Sequence, residues 1–239
     1  RVSSATLGST NFSSMSVGQV QRVEIVKGPR AALWGSDAIG GVIQIFTKKL
    51  ENGEGTVAAG LGSHGFWKTE GAVGFGNDNH NLTLAGSLEE SKGFNVSDFD
   101  GQEDKDGYNR RAISAVGNSQ FTDEITGQLV GRYEKGGAEY DTQWAGSADE
   151  NEYENYSAKL GSQYKSDIIF AEVNVATMKD QGGTFVSDDK ANSLSEITTK
   201  RNQFGLLGQY MFSDDTSAAA GFDWYKEKVS AGDLDSWTP

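Results

Sequence analysis

The chain has 239 residues, no cysteine and a formal net charge of −13. This acidic balance argues against a nucleic-acid partner, because such binding depends on Lys and Arg that neutralise phosphates. The absence of cysteine excludes a disulfide framework. The sequence has no apolar run of about 18 residues, so it predicts no transmembrane helix. The mean hydropathy of −0.53 is typical of a soluble protein, but transmembrane β-barrels also reach such values because each strand is apolar on one face only.

The segment from Val20 to Thr47 has the pattern of two strands joined by a glycine-rich connection. Val23 and Ile25 belong to the first apolar run, and the run Val42-Ile43-Gln44-Ile45-Phe46 forms the second. Between or beside them lie four glycines, which permit a positive φ or a close backbone approach: Gly28, Gly35, Gly40 and Gly41.

From Gly55 onward the sequence alternates polar and apolar residues with a period of two, which predicts strands and no helix. In one such stretch Leu82 and Leu84 share one face, while Thr83 and Ser87 share the other. We expect strands near residues 55–62, 66–76, 80–93, 108–121, 126–140, 152–165, 168–181, 196–212 and 217–230.

The connections between these strands alternate between tight turns and longer polar loops, as in outer-membrane barrels. The expected turns are 77–79, 122–124, 165–167 and 213–216, and the expected loops are 94–107, 141–151 and 182–195. Four aromatic residues lie one to two residues before the turns and predict a girdle at a membrane interface: Phe75, Phe121, Tyr164 and Phe212. A soluble β-sandwich has the same period and remains an alternative. A propeller needs four strands per repeat, whereas each repeat of roughly 45 residues here holds two.

No set of catalytic residues is visible, so we expect a protein that is not an enzyme. His64 and His80 are the only histidines, and each lies in or beside an expected turn. Gly-Ser pairs such as Gly35-Ser36 lack a base and the strand–turn–helix context of a nucleophile.

The loop Asn95–Gly107 carries five carboxylates and one lysine in thirteen residues. Asp98 and Asp100, and again Asp104 and Asp106, are spaced by two residues. Calcium takes six to eight hard oxygen ligands, so these aspartates are candidate metal ligands. The alternative is a solvated acidic loop.

The segment Val20–Thr47 closely resembles the end of the plug domain of TonB-dependent outer-membrane receptors, and among these the chain is most similar to the cobalamin (vitamin B12) receptors. The resemblance implies an all-β fold, with the C-terminal part of a plug in residues 1–50 and the first nine or so strands of an antiparallel transmembrane β-barrel in 51–239. Because bacterial single-chain barrels have even strand numbers, we expect part of a larger barrel.

The resemblance also implies a metal site. Asp104-Lys105-Asp106-Gly107-Tyr108 is similar to a motif in a calcium-binding loop of the family, and Tyr140-Asp141 is similar to a pair that reaches the same ions. Asp104, Asp106 and Asp141 are thus the implied ligands, with Tyr140 as a contact. The loop is shorter here than in the family's best-known members, and Asn95, Asp98 and Asp100 are candidate substitutes for the ligands of that loop.

Ligand contact is expected at Ala5–Asn11, where plugs of the family present a small polar loop. The expected contacts are Thr6, Leu7, Gly8, Ser9, Thr10 and Asn11. Lys27 and Arg30 are expected to pair with carboxylates of the barrel wall, with Glu134 or Glu172 as candidates.

The resemblance predicts TonB-dependent uptake of a corrinoid across the bacterial outer membrane. The expected partners are cobalamin, outer-membrane lipid and the TonB energy-coupling protein, which acts through a segment expected before Arg1. Two alternatives remain: a siderophore or other metal-chelate receptor of the same architecture, and a soluble calcium-stabilised β-domain with an adhesin-like role.

Overall fold

A computed structural model describes residues 20–28, 40–97, 104–142, 147–186, 189–213 and 215–232, with backbone alone at 189–194. These residues form eleven strands: β1 (Val20–Lys27), β2 (Gly41–Thr47), β3 (Gly55–Leu61), β4 (Trp67–Gly76), β5 (His80–Phe94), β6 (Asp106–Gln120), β7 (Ile125–Glu139), β8 (Glu150–Lys165), β9 (Ile169–Val186), β10 (Asp189–Ser213) and β11 (Thr216–Ala231). The described ranges include no helix that is long and apolar enough to cross a membrane.

β1 and β2 form an antiparallel pair in which Ile25 faces Ile43. The two glycines that flank the connection behave as predicted. Gly28 has a φ of +89°, and a Cβ at Gly41 would lie 2.5 Å from the carbonyl oxygen of Val26. Both positions therefore favour glycine for a backbone reason.

β3 to β11 form one nine-stranded sheet in which each strand pairs with its sequence neighbours, and every pair is antiparallel. This confirms the predicted all-β meander and its nine strands. Among the described residues, β3 to β11 form a single continuous sheet, not the two stacked sheets of a sandwich.

The predicted loop 182–195 is wrong, because β9 continues to Val186 and β10 begins at Asp189. Gly183 pairs with Glu196 and Thr184 with Ser195. The glycines and small polar residues of this stretch resemble a loop, but the backbone of the partner strand supplies hydrogen bonds that local sequence does not reveal. β6 likewise begins at Asp106, two residues before its predicted start.

The sheet has a polar face and an apolar face, as the alternation predicts. On β5, Thr83 and Ser87 are 2% and 7% exposed, whereas Leu84 and Leu88 are 41% and 48% exposed. Directly paired residues of neighbouring strands share a face, so the register extends this division to every strand from β3 to β11. We call the face of Thr83 the inner face and the face of Leu84 the outer face.

The four aromatic residues that precede the turns belong to the outer face. Phe75 and Tyr164 have the outer-face parity of β4 and β8, and Phe121 and Phe212 are 63% and 66% exposed. Side chains close the turns beside them. Asn77 Oδ1 accepts hydrogen bonds from the backbone nitrogens of Asn79 at 3.0 Å and His80 at 2.9 Å.

The chain between β2 and β3 lies on the inner face of β4 and β5. The nitrogen of Leu50 donates to Thr83 Oγ1 at 2.9 Å, and the carbonyl oxygen of Leu50 accepts from Asn81 Nδ2 at 2.6 Å. Gly74 donates its N–H to the carbonyl oxygen of Glu54 at 2.9 Å. We call residues 48–54 the strap, because they fasten the end of the β1–β2 hairpin to the polar side of the sheet.

Candidate functional site

The loop ends of β5 to β8 carry a concentration of carboxylates. They come from the two neighbouring connections at this end of the sheet, β5–β6 and β7–β8: Asp104, Asp106, Glu139, Asp141, Asp149 and Glu150. Glu139 at the end of β7 is directly paired with Glu150 at the start of β8. Like charges placed directly opposite one another on neighbouring strands repel and are destabilising, so this end of the sheet favours a cation.

Asp106 is the first residue of β6 and pairs with Phe94 of β5 beyond an irregularity in the register. Its Oδ2 accepts a hydrogen bond from the backbone nitrogen of Val96 at 2.8 Å. The neighbouring Gly93 has a φ of +65°, so the chain bends sharply where it leaves β5. Asp106 is thereby held at the base of the loop that the sequence assigns to metal binding.

Tyr140 and Asp141 follow directly after β7. The nitrogen of Tyr140 donates to the carbonyl oxygen of Asp149 at 2.8 Å, which closes the base of the loop between β7 and β8. Burial, together with the negative charge of Asp149, raises the pKa of the Tyr140 phenol, so its oxygen stays protonated at neutral pH. Asp141 Oδ2 is buried and accepts no hydrogen bond. A buried carboxylate oxygen without a partner carries the full desolvation penalty unless a cation compensates it.

Glu139 is the carboxylate that sequence reasoning missed. Its Oε2 accepts a hydrogen bond from the nitrogen of Gly107 at 2.9 Å and joins the end of β7 to the start of β6. Glu139 directly precedes Tyr140-Asp141 in the sequence, but only the strand register shows that it also lies beside the start of β6.

Part of the predicted site lies outside the described residues. This applies to Asp98, Asp100, Arg30 and the whole expected ligand loop from Thr6 to Asn11. Within the described part of the chain, no three acidic or histidine side chains lie close enough together to hold a metal ion by themselves. The structure thus places Asp104, Asp106, Tyr140 and Asp141 at the same end of adjacent strands, and the metal site stays a prediction.

The inner face carries charged side chains that pair with one another. Lys68 Nζ lies 2.9 Å from Glu70 Oε2, and Lys48 of the strap lies 3.8 Å from the other oxygen of Glu70. Farther along the sheet, Arg110 Nε donates to the hydroxyl of Tyr153 at 3.2 Å. The inner face is therefore polar and charged, as expected of the wall of a water-filled interior.

The predicted partners of Lys27 and Arg30 are engaged within this wall. Glu134 is 5% exposed and forms an ion pair with Arg132, and Glu172 accepts a hydrogen bond from Gln163 Nε2 at 3.0 Å. Lys27 is exposed at the end of β1, and no ion pair joins it to another described residue. The pairing of Lys27 and Arg30 with the wall stays a prediction.

The chain matches known proteins in both of its parts. Residues 1–42 match the family model "TonB-dependent Receptor Plug Domain". The chain is 33% identical over 236 residues to the vitamin B12 transporter BtuB of Photobacterium profundum, a match that covers 96% of this chain and 38% of that protein. It is 32% identical over 235 residues to the BtuB of Vibrio vulnificus, with the same coverage of both proteins. The chain belongs to the TonB-dependent receptors of the outer membrane.

Solved structures of this family agree with the fold. The siderophore receptor PirA of Acinetobacter baumannii matches with a TM-score of 0.72 and 17% identity, over 93% of this chain and 37% of that one. The copper transporter OprC matches with a TM-score of 0.70 and 18% identity, over 92% of this chain and 35% of that one. The chain thus spans less than two fifths of each of these receptors, and its nine-stranded sheet corresponds to a part of their barrels.

Proposed function

We propose that the receptor takes up cobalamin or a related corrinoid across the outer membrane, with energy from the TonB complex that rearranges the plug. The observation that carries this proposal is the 33% identity to a vitamin B12 transporter along 96% of this chain. In this proposal residues 1–50 belong to the plug and residues 51–239 to the barrel.

The ligand contact is proposed for Thr6, Leu7, Gly8, Ser9, Thr10 and Asn11. A corrinoid is large and is ringed with amide groups. Small hydroxyl, amide and backbone groups can hydrogen-bond to such a surface without introducing a buried charge.

Calcium is proposed as the ion at the loop end, with Asp104, Asp106 and Asp141 as ligands and Tyr140 as a contact. The buried, unpartnered Oδ2 of Asp141 and the carboxylate chemistry fit a hard cation. Its charge would offset the repulsion among these side chains and order the loops above the polar interior.

A siderophore or other metal chelate is the second candidate ligand. It is favoured by the match of the fold to a siderophore receptor and a copper transporter, although identities of 17% and 18% support the architecture alone. The soluble, adhesin-like alternative is opposed by the outer face, which exposes Leu84 on β5, Leu129 on β7 and Val175 on β9.

The test is uptake of labelled cyanocobalamin by cells that lack their own corrinoid receptor and express the complete gene. We expect uptake that requires TonB and that excess unlabelled cobalamin suppresses. A panel of ferric siderophores and copper chelates, supplied in the same way, distinguishes the second candidate. Uptake of one of these chelates without uptake of cobalamin would overturn the corrinoid proposal and leave the receptor architecture intact.

A further inference from the structure

The inner face has an open cavity of about 410 Å³ near the turn end of β5 to β9. We call it the amide cavity, because carboxamide side chains from four strands line it beside one cation and one carboxylate. These residues are Asn81, Asn118, Gln128, Gln163, Lys159 and Glu172. Tight turns lie at the periplasmic end of outer-membrane barrels. The amide cavity therefore lies at the end of the interior where a transported ligand leaves, opposite the carboxylates of the loop end.

A glycine makes the wall concave in the amide cavity. The register places Asn118, Gln128, Gly161 and Asn174 in one row across β6 to β9, and directly paired residues share a face. Gly161 thus interrupts a row of carboxamides with a gap one side chain wide. A Cβ at Gly161 would meet its nearest atom, the carbonyl oxygen of Val173, at 3.7 Å. No neighbouring atom occupies the position of the missing side chain.

Lys159 places a positive charge beside this gap. Its Cε lies 3.8 Å from the position of a Cβ at Gly161, so the side chain runs along the edge of the gap. Its direct partners on the neighbouring strands are Val130 and Ala176, and neither carries a charge. Lys159 forms no ion pair with another residue in the described part of the chain.

The carboxylate of the amide cavity is engaged with amides and not with the lysine. Glu172 Oε2 accepts a hydrogen bond from Gln163 Nε2 at 3.0 Å, and its Oε1 accepts one from Asn174 Nδ2 at 3.5 Å. The gap therefore has carboxamides on both sides and the ammonium group of Lys159 next to it. Such a site fits a ligand that carries several amides and one anionic group.

We propose that the amide cavity is a transit site, which contacts a corrinoid after the plug has rearranged and before the ligand reaches the periplasm. The inference rests on the proposed function and adds a second contact site to it. The wall carboxamides hydrogen-bond to the amides that ring the corrin, and Lys159 pairs with the phosphodiester of the cobalamin nucleotide. The cavity is smaller than a corrinoid, so it holds one edge of the ligand. Weak contact suits a transit site, because the ligand must also leave.

The test uses the complete receptor in cells that lack their own corrinoid receptor. The probes are labelled cyanocobalamin and labelled cobinamide, a corrinoid without the nucleotide and its phosphodiester. Surface binding is measured in cells without TonB, and the maximal uptake rate is measured in cells with TonB. A contact formed during passage changes the maximal rate and not the initial affinity.

Lys159→Gln should leave surface binding of both corrinoids unchanged. We expect its maximal rate of cyanocobalamin uptake to fall about two- to fivefold, the range of one partly exposed ion pair. Its uptake of cobinamide should be unchanged, because this ligand lacks the anion. Lys159→Arg should restore cyanocobalamin uptake, since it keeps the charge. Lys165→Gln is the matched control, because it removes the same charge from the inner face of β8 outside the amide cavity.

The gap is tested separately by size. Gly161→Gln fills it with the chemistry of its neighbours and should slow the uptake of both corrinoids. Gly161→Ala adds a single methyl group in ordinary contact with its surroundings and should behave like the wild type.

Equal rates of cyanocobalamin uptake by the wild type and Lys159→Gln would overturn the transit site. So would an equal slowing of both corrinoids by Lys159→Gln, or a loss of surface binding in this variant, because either result points to a structural role. Absence of cyanocobalamin uptake by the wild type would overturn the proposed function and, with it, a corrinoid as the occupant. The two failures are distinct, because only the second is seen without any variant.

Discussion

The carbonyl oxygen of Leu50 accepts a hydrogen bond from the side-chain amide of Asn81 at 2.6 Å. This bond fixes the chain to the inner face at the point where it leaves the β1–β2 hairpin. Because the same backbone residue also donates to Thr83, Leu50 is held at both of its polar groups. Movement of the plug is therefore expected to hinge on the N-terminal side of Leu50.

Gly74→Ala should loosen the strap. A Cβ at residue 74 would collide with the carbonyl oxygens of Leu50 and Glu51, and forced overpacking costs about 1–3 kcal/mol. Gly161→Ala is the matched control, because its Cβ would meet its nearest atom at 3.7 Å on the inner face of β8. The measurement is the melting temperature of the complete receptor in detergent. An unchanged melting temperature for Gly74→Ala would show that the strap shifts to accommodate the added methyl group without loss of stability.

The outer face should contact lipid and the inner face should not. Spin labels at Leu82, Leu84 and Leu129 in the complete receptor are expected to report lipid, whereas labels at Thr83 and Gln128 should report a polar environment. Leu129→Arg should cost about 2–4 kcal/mol if the residue lies near the bilayer midplane, and Gln128→Arg serves as its control. Equal lipid accessibility of the two sets of labels would contradict the assignment of the inner and outer faces.

Calcium should increase the affinity for the transported ligand. The variant Asp104→Ala with Asp106→Ala should abolish this dependence, and Asp141→Asn should weaken it while keeping the side-chain shape. A cation at a hundred times its Kd stabilises the folded loops by about 2.7 kcal/mol. The measurement is cobalamin binding to the complete receptor with calcium and with chelator, and Asp123→Asn at a turn on the opposite end is the control. Equal affinities in the two conditions would remove calcium from the mechanism.

Arg30 is expected to couple energetically to Glu134 or Glu172. One double-mutant cycle combines Arg30→Ala with Glu134→Gln, and a second combines it with Glu172→Gln. For the true partner, the interaction free energy between the two side chains should be roughly 0.5–3 kcal/mol. Arg132 already pairs with Glu134, so the cycle is needed to separate the two contributions. Lys27→Ala provides the parallel cycle for the other predicted cation. Additive effects in every cycle would exclude the predicted contacts between plug and wall.

The sequence predicts the faces better than the ends of the strands. Leu84 and Thr83 were assigned correctly, because a period of two depends only on the residues of one strand. The facing ends of β9 and β10 were missed, because Gly183 and Thr184 are held by hydrogen-bonding partners on β10 that no local pattern identifies. The role of Glu139 was missed for the same reason, since its bond to Gly107 joins residues 32 positions apart.

The length of β9 and β10 has a consequence for how other macromolecules meet this receptor. A tilted strand needs about 9–11 residues to cross the bilayer, whereas β9 has 18 residues and β10 has 25. The excess stands outside the membrane as paired backbone, because the ladder continues to Thr184 and Ser195. An antibody or a phage tail would therefore find a stiff protrusion with a fixed epitope here, and a protease would find few extended peptide bonds free to enter its cleft.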